Sequence, residues 1–180
     1  MSKIAKEIFD NLILNKTPID INILVLLVGL PYSGKSTFAE KLSNHNFVHF
    51  WATKIKKQYK LNDEQFLKLS EEIIEELLSK DYNVVFDFLN HKNEQRENIY
   101  SIAEKMNKKY FILYLDTPKS TITERQSRVI ENLGRTNISV EILKEIELEF
   151  EMPIGKNVFI IKDEGDFDIF LNLTRAQKSK

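Results

Sequence analysis

Apolar residues fall into two rhythms along this chain. Ile4, Ile8 and Leu12, with Ala5, Phe9 and Ile13, recur at helical spacing, so the chain opens on an amphipathic helix expected to pack on the outside of a sheet. Thr17-Pro18-Ile19-Asp20 turns it. Ile23 to Val28, ILVLLV, is an unbroken aliphatic run, which is how a strand buried on both faces reads. Helical spacing returns with Phe38, Ala39 and Leu42, placing a helix over Lys35 to Asn44.

The alternation then continues. Phe47 to Trp51 is a second short strand and Ala52 to Lys60 a short helix. Asn62 caps the next helix, with Gln65 completing a capping-box pair and Phe66, Leu69, Ile73 and Leu77 as its buried stripe. Asn83 to Phe88 is the third strand, Lys92 to Asn107 a helix, and Tyr110 to Leu115 the fourth strand. Pro118 opens a helix to about Glu131, and Ser139 caps another to about Phe150. Lys156 to Lys162 holds a fifth strand and Asp166 to Arg175 a last helix. Alternating strands and helices predict one three-layer α/β domain over residues 1–180, a mostly parallel five-stranded sheet with helices on both faces. Within it, residues 1–20 form a helical extension, 118–150 a lid with its following helix, and 176–180 a tail.

Ligands of such sheets sit beyond the C-terminal strand ends, where Gly29, Trp51, Asp87 and Asp116 converge. After the first strand comes Gly29-Leu30-Pro31-Tyr32-Ser33-Gly34-Lys35-Ser36-Thr37, which fits G-x-x-x-x-G-K-[ST]. Strand before and helix after are the context of a phosphate-binding loop. Gly29 and Gly34 let the backbone curl its N–H groups toward anionic oxygens, and the helix adds its positive end. Lys35 can reach the β- and γ-phosphates of ATP, and Ser36 offers a hydroxyl to Mg²⁺.

Composition adds bounds. Of the 180 residues 42% are hydrophobic and 29% charged, as in a soluble globular domain. There are no cysteines, which excludes disulfides and thiolate metal sites. The N-terminal stretch has no signal-peptide core and the longest apolar run is too short for a bilayer, so the expected location is the cytosol and no membrane partner is expected. A net charge of −1 argues against strong nonspecific nucleic-acid binding while leaving room for a local basic groove.

Other residues gain meaning beside the loop. Asp87, closing a buried strand, is placed to hold Mg²⁺ or take a proton; its alternative role is to cap the next turn. Arg125 and Arg128, three apart on a helix, and Arg135 beyond it can close over ATP; Glu124 and Glu131 are the alternative partners of a solvated face. Trp51 can stack on a substrate base or fill core, and Lys54, Lys56 and Lys57 can hold an acceptor phosphate. His45, His49 and His91 show no metal-ligand spacing.

From about Ile23 to Pro153 the chain resembles the small P-loop kinases grouped around the bacteriophage polynucleotide kinase domain. The resemblance rests on VLLVGLPYSGKSTFAEKL, VVFDFLN with Arg96 downstream, YLDTP, TERQSR and FEMP, in that order. It implies the P-loop NTPase fold and Mg²⁺-dependent phosphoryl transfer from ATP, with Lys35 and Ser36 at the phosphates, Asp87 in the site and Arg125 and Arg128 in the lid. Arg96 and Arg135 join Trp51 and Lys54 as candidates for acceptor or lid contacts. Two departures stand out. The polynucleotide kinases carry a general-base aspartate after the second strand, where this chain has Phe50-Trp51-Ala52-Thr53-Lys54; their lid arginines are four apart. Asp87 or His49 is then the candidate base. Three readings follow: a kinase acting on a hydroxyl of a nucleic-acid end or small molecule, a nucleotide kinase whose acceptor is already a phosphate, and a nucleotide-binding module without turnover.

Overall fold

The computed structural model describes residues 1–19, 22–131 and 138–176; the expectations for Arg135 and for the tail beyond 176 lie outside these. In chain order the elements are α1 (Lys3–Leu12), β1 (Ile23–Val28), α2 (Lys35–Ser43), β2 (Phe47–Trp51), α3 (Ala52–Tyr59), α4 (Asp63–Ser79), β3 (Asn83–Asp87), α5 (Asn93–Lys105), β4 (Lys109–Leu115), α6 (Lys119–Glu131), α7 (Val140–Leu148), β5 (Val158–Ile161) and α8 (Glu164–Ala176). The strands form one sheet in the order β2-β3-β1-β4-β5, and every pairing is parallel.

β1 is therefore the central strand, and its sequence explains why. Leu24, Leu26 and Val28 enter a core with Phe9 of α1, Ile73 and Leu77 of α4 and Ile99 of α5. Ile23, Val25 and Leu27 enter the other, with Phe38 and Leu42 of α2 and Phe170 of α8. A strand covered on both faces has no use for polar positions, hence the continuous aliphatic run. Truncating one of these leucines to alanine costs about 2–5 kcal/mol.

Local signals set the helix starts. Asn62 and Gln65 form the full capping box, Gln65 N–H donating to Asn62 Oδ1 at 2.9 Å and Asn62 N–H to Gln65 Oε1 at 3.1 Å. Ser139 accepts from Ile142 N–H at the start of α7. β3 closes at Asp87 rather than Phe88, because its ladder partner on β2 there, Trp51, is the last residue of that strand. β4 begins one residue early, at Lys109, which pairs with Ile23.

Candidate functional site

The loop from Gly29 to Thr37 links the central strand to α2. Gly29 has φ 155°, and a Cβ there would lie 2.7 Å from Ser33 Oγ and 3.1 Å from the Leu115 carbonyl oxygen. Only glycine fits. Gly34 has φ 103° and serves as N-cap of α2 without a side-chain cap, which leaves the helix's first N–H groups open to an anion. Tyr32 sits at φ 65°, and Ser33 N–H closes a turn onto Leu30 O at 3.1 Å. Pro31 is buried beneath the loop, while Ser36 and Thr37 are exposed on the first turn of α2.

Lys35 folds back over this loop. Its ammonium donates to the carbonyl oxygens of Gly29 at 2.8 Å and Leu30 at 2.9 Å. Burial pushes its pKa down to about 8, and the nearby Asp87 carboxylate opposes the shift. Carbonyls are weak counterparts for a cation, so a phosphate oxygen is a better partner for Lys35 than the Gly29 and Leu30 carbonyls.

The ends of β2 and β3 bring the next residues together. In the parallel register Trp51 faces Asp87. Asp87 is buried, and its Oδ2 lies 3.1 Å from His49 Nε2. The His49 ring stacks on Trp51 with centroids 5.4 Å apart and planes 10° apart. Trp51 itself is 38% exposed, so it is no core filler. Lys54 is exposed one turn into α3.

The two arginines of α6 part ways. Arg125 Nη1 donates to Tyr32 O at 3.0 Å and lies 3.3 Å from where a Gly34 Cβ would be, directly over the phosphate loop. Arg128 pairs with Glu124 at 2.6 Å on the surface. Three-residue spacing put both on one face, but the nearby carboxylate one turn back captures the second. Two further bonds tie this region to the loop, and a third braces it internally. Thr117 Oγ1 donates to Ser33 O at 2.9 Å, Tyr32 OH accepts from Ile138 N–H at 2.9 Å, and Gln126 Nε2 donates to Ile138 O at 3.1 Å.

Arg96 is a correction. Expected at the acceptor or lid, it is 2% exposed. Nη1 donates to Asn90 O at 2.7 Å, and Nη2 to Glu151 O at 2.8 Å and to Asn93 Oδ1. The planar fork thus clamps the segment after β3 to the segment after α7, and its burial keeps it from the open face of an acceptor or lid. Asn90, given no role from sequence, sends Nδ2 to Leu27 O at 2.9 Å and so braces the strand that feeds the loop. Thr117 was equally unassigned; YLDTP and FLN carried both, but nothing local separates a brace from a turn.

Among the described residues no helix is long and apolar enough to cross a membrane, and no cluster of three His, Cys, Asp or Glu residues could hold a metal on its own. Comparison with known proteins adds to this geometry. Over 152 residues the chain is 27% identical to the L-seryl-tRNA(Sec) kinase of Methanococcus maripaludis, covering 78% of this chain and 57% of that protein, so it spans little more than half of that relative's length. The crystal structure of APE1195 superposes with a TM-score of 0.71 at 18% identity, covering 91% of this chain and 100% of the other. Chaetomium thermophilum Kti12 in complex with ADP-AlF3 gives 0.67 at 16% identity, covering 87% and 100%. Mycobacterium tuberculosis APS kinase CysC in complex with AMPPNP and APS gives 0.58 at 16%, covering 88% and 99%. These likenesses establish the fold, that of the P-loop kinases. The family model for the chromatin associated protein KTI12 matches residues 23–159, three quarters of the sequence from the central strand to the last, and the chain belongs to that family.

Proposed function

We propose that this protein binds ATP at the Gly29–Thr37 loop and transfers its γ-phosphoryl group to an acceptor hydroxyl, on a small molecule or a nucleic-acid end. The observation that carries this is that Lys35 and Arg125 both donate to carbonyl oxygens of one curled loop, with Asp87 close enough to act on Lys35. The seryl-tRNA kinase relative and the nucleotide-bound neighbours support kinase chemistry; the partial coverage of that relative leaves the acceptor to this chain's own residues. A kinship with the polynucleotide kinases belongs to the same proposal, resting on motif order alone.

The N–H groups of the loop and α2 would cradle the phosphates. Lys35 would leave its carbonyls for the β- and γ-oxygens, and Arg125 would neutralise charge developing on the transferred group. The acceptor oxygen attacks the γ-phosphorus, the bond to the bridging oxygen breaks, and ADP departs with the electron pair. The acceptor's proton passes to the Asp87–His49 pair, the carboxylate of the general-base position being absent after β2. Ser36 and Asp87 offer hard oxygen donors that would hold Mg²⁺. Two donors are few, which fits an ion that arrives on ATP and takes the rest of its ligands from phosphate and water. When bound, the ion supplies charge neutralisation at the phosphates.

A second reading, transfer to a phosphate acceptor, draws on Lys54, which has no acidic partner among the described residues and closes the stretch after β2 that lacks a carboxylate. ADP release from Mg-ATP with 5′-hydroxyl DNA or RNA, nucleosides, nucleoside monophosphates or no acceptor separates the readings. Stimulation by hydroxyl compounds upholds the first. Stimulation by monophosphates alone moves the assignment to the second. Bound ATP with no release across the panel rules out these acceptors and favours a nucleotide-binding module. Lys35→Ala abolishes turnover in a folded protein on either kinase reading.

A further inference from the structure

A groove of about 470 Å³ runs along the outer edge of β2, between α1 with its following turn and α3. Its size falls within the range of small-molecule sites. Five of its twelve lining residues precede the KTI12 match at 23–159: Ile8, Asn11, Leu12, Leu14 and Lys16. The opposite wall holds Trp51, Lys54 and Gln58, with His49 at the inner end.

We infer that this groove binds the non-reacting part of the acceptor and that the acceptor is nucleotide-like, a planar heterocycle joined to a phosphate. The inference rests on the kinase reading above. Four features point to this chemistry. Trp51 presents a face held in place by its stack on His49, a ready platform for a flat ring. Asn11 and Gln58 supply amide donors and acceptors of the kind that meet the edge of a base. Lys54 is an exposed cation without an acidic partner among the described residues, and Lys16, anchored by Ser43 O at 2.6 Å and Ser43 Oγ at 2.9 Å, keeps a third N–H. None of the lining residues is acidic, so the groove's charge suits an anion. His49 bonds Asp87, so a ring seated here lies one side chain from the carboxylate of the proposed reaction.

The chain has one tryptophan, and it is the groove's own platform. Its fluorescence reports occupancy without any turnover. AMP titrated into the full chain is expected to quench Trp51 saturably, while adenosine and ribose 5-phosphate quench weakly. Lys54→Ala, an exposed change that leaves the core intact, should weaken AMP about tenfold and leave adenosine unchanged. Lys35→Ala should leave the AMP quench in place, because that lysine belongs to the ATP loop. No saturable quench, equal affinity for AMP in Lys54→Ala, or loss of the quench in Lys35→Ala overturns the assignment. ADP release is read separately. Quenching without AMP-stimulated release sinks phosphoryl transfer and keeps the groove as a nucleotide site; release without quenching sinks the groove and keeps the kinase.

Discussion

Lys35 lies against two carbonyls in a place where its own charge is unwelcome, and this has a measurable cost. Its pKa is about 8 in the fold against 10.5 as the ordinary value. Below about pH 8 both folded and unfolded chains carry the proton, and the fold bears the whole penalty. Between about pH 8 and 10.5 the unfolded chain holds a proton that the folded chain has released, so stability rises with pH. Above that window both states are neutral and the penalty is gone. At about 1.4 kcal/mol per pH unit the penalty near neutrality is at most about 3–4 kcal/mol, and smaller because water reaches part of the half-buried side chain. Lys35→Met keeps the length of the side chain and removes the charge. Without nucleotide, the variant should therefore be more stable than the parent by about 2 kcal/mol near neutral pH, and the gap should shrink toward zero near pH 10. Urea denaturation of both proteins at the two pH values reads it, and the difference cancels the titration of tyrosines common to both. A parent more stable than Lys35→Met, or a gap that does not change with pH, would refute the reasoning. Saturating ATP should reverse the order, since only the parent gains a phosphate for its ammonium.

Other outcomes follow from the same geometry. Gly29→Ala forces a Cβ to 2.7 Å from Ser33 Oγ at a positive φ, so ATP affinity by calorimetry should fall at least about tenfold; undiminished binding would mean the loop yields. Arg125→Ala should lower kcat about a hundredfold, whereas Arg128→Ala, which loses a surface pair with Glu124, should change it by less than about threefold; equal effects would return Arg128 to the site. Arg96→Leu leaves the buried Asn90 carbonyl without its donor and should cost about 2–4 kcal/mol in urea denaturation, against negligible loss if the clamp is idle. Burial lowers the pKa of His91, so the parent should lose stability relative to His91→Gln as pH falls below about 6.5, where the unfolded chain takes up the proton first; parallel pH profiles would contradict that sign.

The phosphate loop was legible because every part of it is local: an aliphatic run, two glycines at fixed spacing, a lysine and a helix, all within fifteen positions. The sheet followed from the alternation of periods, and the Asn62 and Ser139 caps from their own side chains. The rest depended on partners far along the chain. His49 and Asp87 are 38 residues apart, and only the β2–β3 register brings them together. Arg96 became a candidate through its place in the resemblance, yet it is buried where two polypeptide segments converge on it. Arg125 and Arg128 are chemically identical, and what distinguishes them is a carbonyl at Tyr32 and a carboxylate at Glu124. The groove escaped sequence reading because one of its walls is α1, whose apolar spacing said only that it packs somewhere.

The position of β1 has a consequence for the protein's synthesis. The strand emerges early, but its two ladder partners are β3, about sixty residues later, and β4, which pairs Ile23 with Lys109. Closing such long intervals is slow, and neither edge of β1 is satisfied until it happens. The loop at its end is further braced by Thr117, which comes after β4. A nascent chain on the ribosome therefore exposes an aliphatic strand with two open edges and no working phosphate cradle until about two thirds of the sequence has been made. Over that interval it exposes the kind of apolar surface and open strand edges that chaperones cover, and ATP has no formed cradle to act as a template for its folding.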